Sequence, residues 1–227
     1  MLTRCPNPAC RLTFDVPGER AGKNGPCPQC GQVITFRSLE ILNKLERQRA
    51  ALEAQGPRST GASPPPFGAL LEDVRSLWNV GSIFRTADGA GVGALYLCGI
   101  TGCPPRKEIA KTSLGSEEVV PWEYHAGALD VVPRLKAAGV YLVGLELTGA
   151  SRPLDARLSE APLPAPLCLA VGNEVAGLSA ELLNVCDEVC HLPMRGVKHS
   201  LNVAVAFGVA AYRIAETLPP GRPTSCP

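Results

Sequence analysis

FGALLEDVRSLWNVGSIFRTADGAGVGALYLCG, residues 67–99, decides the fold. An apolar run at 68–72 is followed by a stretch with helical spacing at 80–90. A second apolar run follows at 94–99, long enough for a strand and too short for a helix. The same beat continues to the C-terminus. It predicts helix 107–113, strand 118–124, helix 128–138, strand 140–147, strand 167–171, helix 179–186, strand 188–192 and helix 200–217. Short buried strands alternating with helices predict an α/β protein, a mostly parallel sheet with helices on both faces. GAGVG, residues 89–93, has the look of a dinucleotide loop but stands in the wrong place. It follows a helix and opens a strand, whereas such a loop follows a strand and opens a helix. It reads as a helix stop.

Working outward, the chain has 227 residues, of which 45% are hydrophobic and 19% charged. That is the profile of a globular protein with one medium domain and a small appendage. The longest apolar run, around Leu201 to Ala211, is too short to cross a bilayer and contains Asn202. MLTRCPNPAC at the start has no apolar signal core. A cytoplasmic protein without a membrane span is expected. Net charge is +1, but residues 1–60 carry nine Lys/Arg against five Asp/Glu, so the basic end is the better candidate for meeting a polyanion. No G-x4-G-K-[ST], H-E-x-x-H or G-x-S-x-G is present, so phosphate-loop, zincin and serine-hydrolase chemistry lack their defining residues.

Residues 1–37 are rich in Cys, Gly and Pro and cannot build a packed core unaided. Cys5, Cys10, Cys27 and Cys30 form C-x4-C and C-x2-C pairs sixteen residues apart, with Pro and Gly at both turns. Such pairs can converge on one tetrahedral Zn²⁺. A redox C-x2-C alone leaves Cys5 and Cys10 unexplained, though free or redox thiols are the alternative. The other six of the ten cysteines are scattered and read as small buried hydrophobes. Cys186, Cys190 and His191 lack a fourth ligand for a second metal. A ribbon of this kind serves as a protein dock, a fold staple or, given the basic charge, an RNA contact. Residues 38–66 read as a helix over 38–55, capped by Ser38, followed by the linker GPRSTGASPPP. Residues 67–218 form the main domain and 219–227 a tail.

Three segments of the main domain combine polar residues with tight turns. WNVGSIFRTADGAGV places Asn79 just before a helix start and Arg85 on that helix. LAVGNEVAGLS places Asn173 and Glu174 in a Gly-bounded loop after strand 167–171. HLPMRGVKHSLNVAVA is a strand end, a loop and a helix opened by Ser200. Two of these loops lie at strand C-termini, where open α/β sheets place ligands. Each residue also has a plain reading. Asn79 and Ser200 make good helix caps, Arg85 can pair with Asp88 at i, i+3, and Glu174 can be a solvated turn residue. The last helix is apolar nearly all round and needs cover on every side, either within one subunit or from a second.

Together NVGSIFRTA, VGNEVAGLS and LPMRGVKHSLNVAVA, in that order, resemble the SpoU-type (TrmH-like) RNA ribose 2′-O-methyltransferases of the SPOUT class. KTSLGSEEVV and LELTG add to the likeness, which covers about residues 67–217 and excludes the cysteine cluster. The resemblance implies a C-terminal trefoil knot, S-adenosylmethionine as methyl donor and a homodimer with a composite active site acting on transfer or ribosomal RNA. It carries cofactor contacts onto Gly172, Leu192 and Leu201, with Thr148 and Met194 nearby. It carries the catalytic and structural set onto Asn79, Arg85, Glu174, Ser200 and Asn202. In this reading Arg85 grips a phosphate and stabilises charge on the ribose oxygen, since a guanidinium stays protonated. Lys107, Lys111, Arg195 and Lys198 are the basic residues expected near RNA backbone. The competing readings are a zinc-ribbon RNA-binding protein without catalysis and a nicotinamide-linked oxidoreductase built on GAGVG.

Overall fold

The computed structural model describes residues 1–39, apart from Pro6 and Pro8, and residues 63–218. The expected helix beyond Leu39, the linker as far as residue 62 and the tail 219–227 lie outside the described residues.

Seven strands form one parallel sheet: β5 (Phe67–Glu72), β6 (Ala94–Cys98), β7 (Trp122–His125), β8 (Tyr141–Leu145), β9 (Arg152–Pro153), β10 (Leu167–Val171) and β11 (Glu188–His191). Their order across the sheet is β7-β6-β5-β10-β8-β11-β9. Every ladder in it is parallel, with β10 at the centre, Leu169 opposite Ala69 on one side and Val143 on the other.

Side chains on a strand alternate between faces, so one sequence can feed two cores. Phe67, Ala69, Leu71, Leu95, Leu97, Leu167, Leu169 and Val171 point to one face. There they meet Val80, Ile83, Phe84 and Ala87 of α1 (Leu77–Gly89) and Phe207, Ala210, Ala211 and Ile214 of α7 (Val203–Ala215). Ile109 of α2 (Lys107–Ser113) and Leu154 of α5 (Leu154–Glu160) join the same core. Leu70, Ala94, Tyr96, Cys98, Leu142, Cys168 and Ala170 point the other way. They meet Ala128, Val131, Val132 and Leu135 of α4 (Ala128–Ala137) and Leu182 of α6 (Ala180–Leu183). The two-faced cover that the alternation predicts is what the chain builds.

Several local expectations are corrected. The expected strand 118–124 is a short helix, α3 (Ser116–Val119), followed by β7. Leu114 (φ 52°) and Gly115 (φ 96°) are both left-handed, which breaks the chain direction after α2, and the Glu117 carboxylate accepts the Gly115 N–H and the Ser113 hydroxyl. β9 and α5 fill a stretch, 148–166, for which no element was expected. Asn79 lies inside the first turn of α1, not before it, because Ser76 is the cap. Ser200 does not cap α7; Asn202 does, its Oδ1 accepting the N–H of Ala204 and Val205. GAGVG behaves as a helix stop: α1 ends at Gly89 and the chain turns through Gly91 into β6. Arg85 makes no ion pair among the described residues, and Asp88 instead accepts the Ser116 hydroxyl.

The N-terminal module is two antiparallel hairpins, β1 (Leu2–Arg4) with β2 (Thr13–Asp15) and β3 (Asn24–Pro26) with β4 (Val33–Thr35). Its core is small: Val16, Ile34 and Phe36 beside Cys5 and Cys27. It rests on the main domain, with β4 against α6. Arg37 reaches Asp73 Oδ2 at 2.7 Å and Glu72 Oε1 at 3.8 Å. The side chains of the two carboxylates are only 7% and 10% exposed, and that of Arg37 25%. Glu72 also accepts the Ser179 N–H and hydroxyl, both at 2.7 Å. Burial raises the Glu72 pKa, and Arg37 and Ser179 offset that only in part.

Candidate functional site

The loop after β10, the turn into α1 and the cap of α7 meet at the C-terminal end of the sheet. A helix start leaves backbone N–H groups without partners and carries partial positive charge. Glu174 supplies what α1 lacks. Its Oε2 accepts the Arg75 N–H, and its Oε1 accepts the Ser76 N–H and Asn79 Nδ2, all at 2.9 Å. Burial acts to raise the Glu174 pKa, but these three donors outweigh it and hold the carboxyl below its ordinary value. Asn79 Oδ1 in turn accepts Asn202 Nδ2 at 3.1 Å, so one chain of hydrogen bonds links the second motif, the first and the cap of α7. Asn173 repeats the pattern: its Nδ2 donates to the Asp73 carbonyl at 2.8 Å while its Oδ1 accepts the N–H of Val175 and Ala176.

Beside this lock lies a pocket formed by the ends of β8, β10 and β11 and the segment 192–203. Of the site residues named from the sequence, Gly172, Glu174, Leu192, Met194, Ser200 and Leu201 line it. Thr148 does not line it, although Leu147 does. The Thr148 N–H is turned to the Ser151 hydroxyl at 2.9 Å. Arg85 does not line it either; it stands exposed farther along α1. Lys107, Lys111, Arg195 and Lys198 are absent from the lining as well. Gly172 has a clear steric cause. A Cβ there would sit 2.2 Å from the Gly177 carbonyl carbon and 2.3 Å from the Leu178 nitrogen, so the loop folds back against the strand only over a glycine.

Two pocket residues escaped the sequence reading. Glu146 accepts the N–H of Leu147 at 3.0 Å and of Leu178 at 2.9 Å, which ties β8 to the loop after β10. Its place in LELTG, at a strand end, was the available signal. His191 closes β11 into the pocket, its Nδ1 2.9 Å from the Ser151 hydroxyl. The partner 40 residues away is invisible in local sequence. Arg37 is the third omission, a basic residue at the end of a cysteine module whose partners lie 35 and 36 positions on.

The four cysteines converge. Their sulfurs all lie within 4.8 Å of one another, with Cys5–Cys30 and Cys10–Cys27 at 3.7 Å. Four sulfurs bound at about 2.3 Å to one tetrahedral ion stand about 3.8 Å apart, so the spacing fits Zn²⁺ and is far too long for a disulfide. The N–H groups of Cys30 and Gln29 aimed at the Cys27 sulfur lower its pKa against the effect of burial, while burial raises that of Cys5. No other such group of ligands exists among the described residues, so Cys186, Cys190 and His191 form no second centre. Cys98, Cys168 and Cys190 are buried, as expected of hydrophobic cysteines.

Comparison with known proteins agrees with this geometry. Residues 66–212 match the SpoU rRNA Methylase family, and the chain belongs to that family. It is 31% identical over 147 residues to the 23S rRNA (guanosine-2′-O-)-methyltransferase RlmB of Shewanella oneidensis, a match covering 65% of this chain and 58% of that one. Among solved structures, the AdoMet-bound rRNA methyltransferase from Sinorhizobium meliloti superposes with a TM-score of 0.65 at 29% identity, over 71% of this chain and 60% of that one. The A. aeolicus TrmH/SpoU tRNA modifying enzyme gives 0.60 at 26% identity, over 78% and 84%. The chain spans about 58% of the length of the curated relatives it matches first.

Proposed function

We propose that this chain transfers the methyl group of S-adenosylmethionine to a ribose 2′-hydroxyl of ribosomal or transfer RNA. The observation that carries the reading is the hydrogen-bonded chain Glu174–Asn79–Asn202 beside the pocket. It joins all three motif segments at one end of the sheet, in a family whose named relatives methylate guanosine ribose in 23S rRNA. Gly172, Leu192, Met194 and Leu201 would hold the cofactor, with Thr148 at the margin through its neighbour Leu147. The mixed polar and apolar lining suits an adenosine, and the donor would supply an already activated methyl on a sulfonium.

The protein's task is then position and charge. Orientation of two reactants can contribute roughly 7–11 kcal/mol where the geometry is good. Asn79 and Asn202 fix one another, Glu174 holds the helix start against the loop, and Ser200 stands at the pocket edge. Arg85 lies outside this copy's pocket, so in the proposed homodimer it reaches the partner's site. There it grips the phosphate next to the acceptor and stabilises negative charge on the ribose oxygen, and the proton passes to a phosphate oxygen or water. An open apolar face supports the dimer: Trp78 on α1 and Val205, Val209 and Tyr212 on α7 are about half exposed. The covered side of α7 is the other one, so the all-round cover that its sequence demands is not met among the described residues.

The same proposal includes zinc held by Cys5, Cys10, Cys27 and Cys30, a ribbon (1–37) joined through 38–66 to a methyltransferase domain (67–218), and a cytoplasmic location. It also includes the knot, for which the strand order gives support: β11 returns to pair with β8 although β10 already separates β8 from β5. No helix among the described residues is long and apolar enough to cross a membrane.

The test uses radiolabelled donor with RNA from a strain lacking this gene, followed by mapping of ribose methylation. Label in a ribose 2′-O position is expected. Arg85→Ala is expected to abolish transfer while cofactor affinity stays within a few-fold. Protein that binds RNA but never labels it in the presence of donor would favour the non-catalytic alternative.

A further inference from the structure

A second cavity lies across the Asn173–Gly177 loop from the cofactor pocket. It is a cleft of about 840 Å³ between the ribbon and the main domain, a size that accepts a nucleotide. One wall is ribbon: Lys23, Phe36 and Arg37. The other is Arg75, Ile100 and the loop itself, through Asn173 and Val175. Asn173, Val175 and Gly177 belong to both cavities, so whatever fills the cleft lies one loop away from the pocket proposed for the donor.

The charge of the cleft is one-sided. Among the described residues its only lining carboxylate is Asp73, and Arg37 already pairs with it at 2.7 Å. The Met1 ammonium is engaged with Asp15. Lys23 and Arg75 are both exposed and join no carboxylate among the described residues. Two cations with no carboxylate partner among the described residues thus line a partly apolar cleft whose one described carboxylate is neutralised. That combination suits a single strand of nucleic acid, which presents phosphates at its edge and a flat base to an apolar wall.

We infer that this cleft is the subsite for a single-stranded RNA nucleotide flanking the acceptor, with its phosphates on Lys23 and Arg75. The inference rests on the RNA methyltransferase reading and adds a task for the ribbon that the family match, which begins at residue 66, does not contain. It also makes Arg37 the residue that sets the width of the gap, because it ties the ribbon wall to Asp73.

The experiment measures binding of a fluorescein-labelled, mixed-sequence RNA heptamer, single-stranded and as a duplex, to the full zinc-loaded chain across a salt series. Each phosphate contact to a single strand contributes about 0.7 to the slope of log K against log salt, and hence about 5-fold in affinity near 0.1 M salt. Lys23→Ala with Arg75→Ala is therefore expected to weaken binding about 25-fold and to flatten the slope by about 1.4. Arg75→Lys is expected to restore its share of the slope, and single Lys23→Ala, remote from the cofactor pocket, to lose half of it. Wild-type slope and affinity in the variants overturn the cleft, as does absent binding of the heptamer or equal preference for the duplex. Failure of the methyltransferase reading is seen separately, in donor binding and in transfer to RNA from the deletion strain.

Discussion

Arg37→Met should be the most informative single change outside the pocket. Methionine keeps the apolar stem and removes the only cation, among the described residues, that is close to two carboxylates 7% and 10% exposed. Breaking a buried pair by removing one partner costs about 3–5 kcal/mol, and the lower end, about 3 kcal/mol, applies because the guanidinium itself is a quarter exposed. Glu72 keeps its two bonds from Ser179 and Asp73 keeps the Ile100 N–H, which limits the loss further. The sign of the pH dependence follows from burial. The Glu72 pKa is already raised, so the folded state takes up the proton more readily than the unfolded one. Stability contributed there is present below the unfolded value and falls as pH rises through the folded one. Removing Arg37 raises that value again. The gap between variant and wild type should therefore narrow as pH drops from about 8 to about 5, and Arg37→Met with Asp73→Asn should recover part of it at neutral pH. Urea unfolding at several pH values measures this. A loss under about 1 kcal/mol, or a gap that widens in acid, refutes the account of the ribbon contact as a buried charge lock.

Elemental analysis of purified protein should find one zinc per chain, and chelation should release it with loss of the ribbon's protection from proteolysis, since binding energy is folding energy in such modules. Zinc-free protein with an intact ribbon would remove the metal assignment. Gly172→Ala should cost about 1–3 kcal/mol by thermal unfolding and reduce cofactor affinity, because its Cβ meets backbone at 2.2 Å and the loop must move. An unchanged melting temperature would show that the loop yields freely.

The middle of the sheet was legible because β5, β6 and β10 are fully buried, and burial on two faces leaves an unmistakable apolar run. LCLAV at 167–171 and ALYLC at 94–98 come out at or within a residue of the expected bounds. SEEV at 116–119 did not, because its direction is set by two left-handed residues, and one of them, Leu114, carries no sign of it. The short β9 was unreadable for another reason: two exposed residues, Arg152 and Pro153, have no pattern, and only pairing with β11 defines them. At the site, Asn79, Glu174 and Asn202 were named from the motifs, and they are joined by hydrogen bonds, but which residues cap the helices was not legible. Caps belong to geometry, so Ser76 and Asn202 displaced the expected Asn79 and Ser200. Glu146, His191 and Arg37 depend on partners 32 to 40 positions distant, which no local window contains.

The charge lock at Arg37 has a consequence for how such chains can be assembled. Two adjacent acids at 72 and 73 are tolerable only while a neighbouring module delivers a cation to them. A version of this domain that lost its cysteine-bearing front would inherit a defect at the root of α1, next to the loop that carries Glu174. A swap of either the front or the body with a stranger should therefore need a compensating change at 72 or 73 to regain full stability.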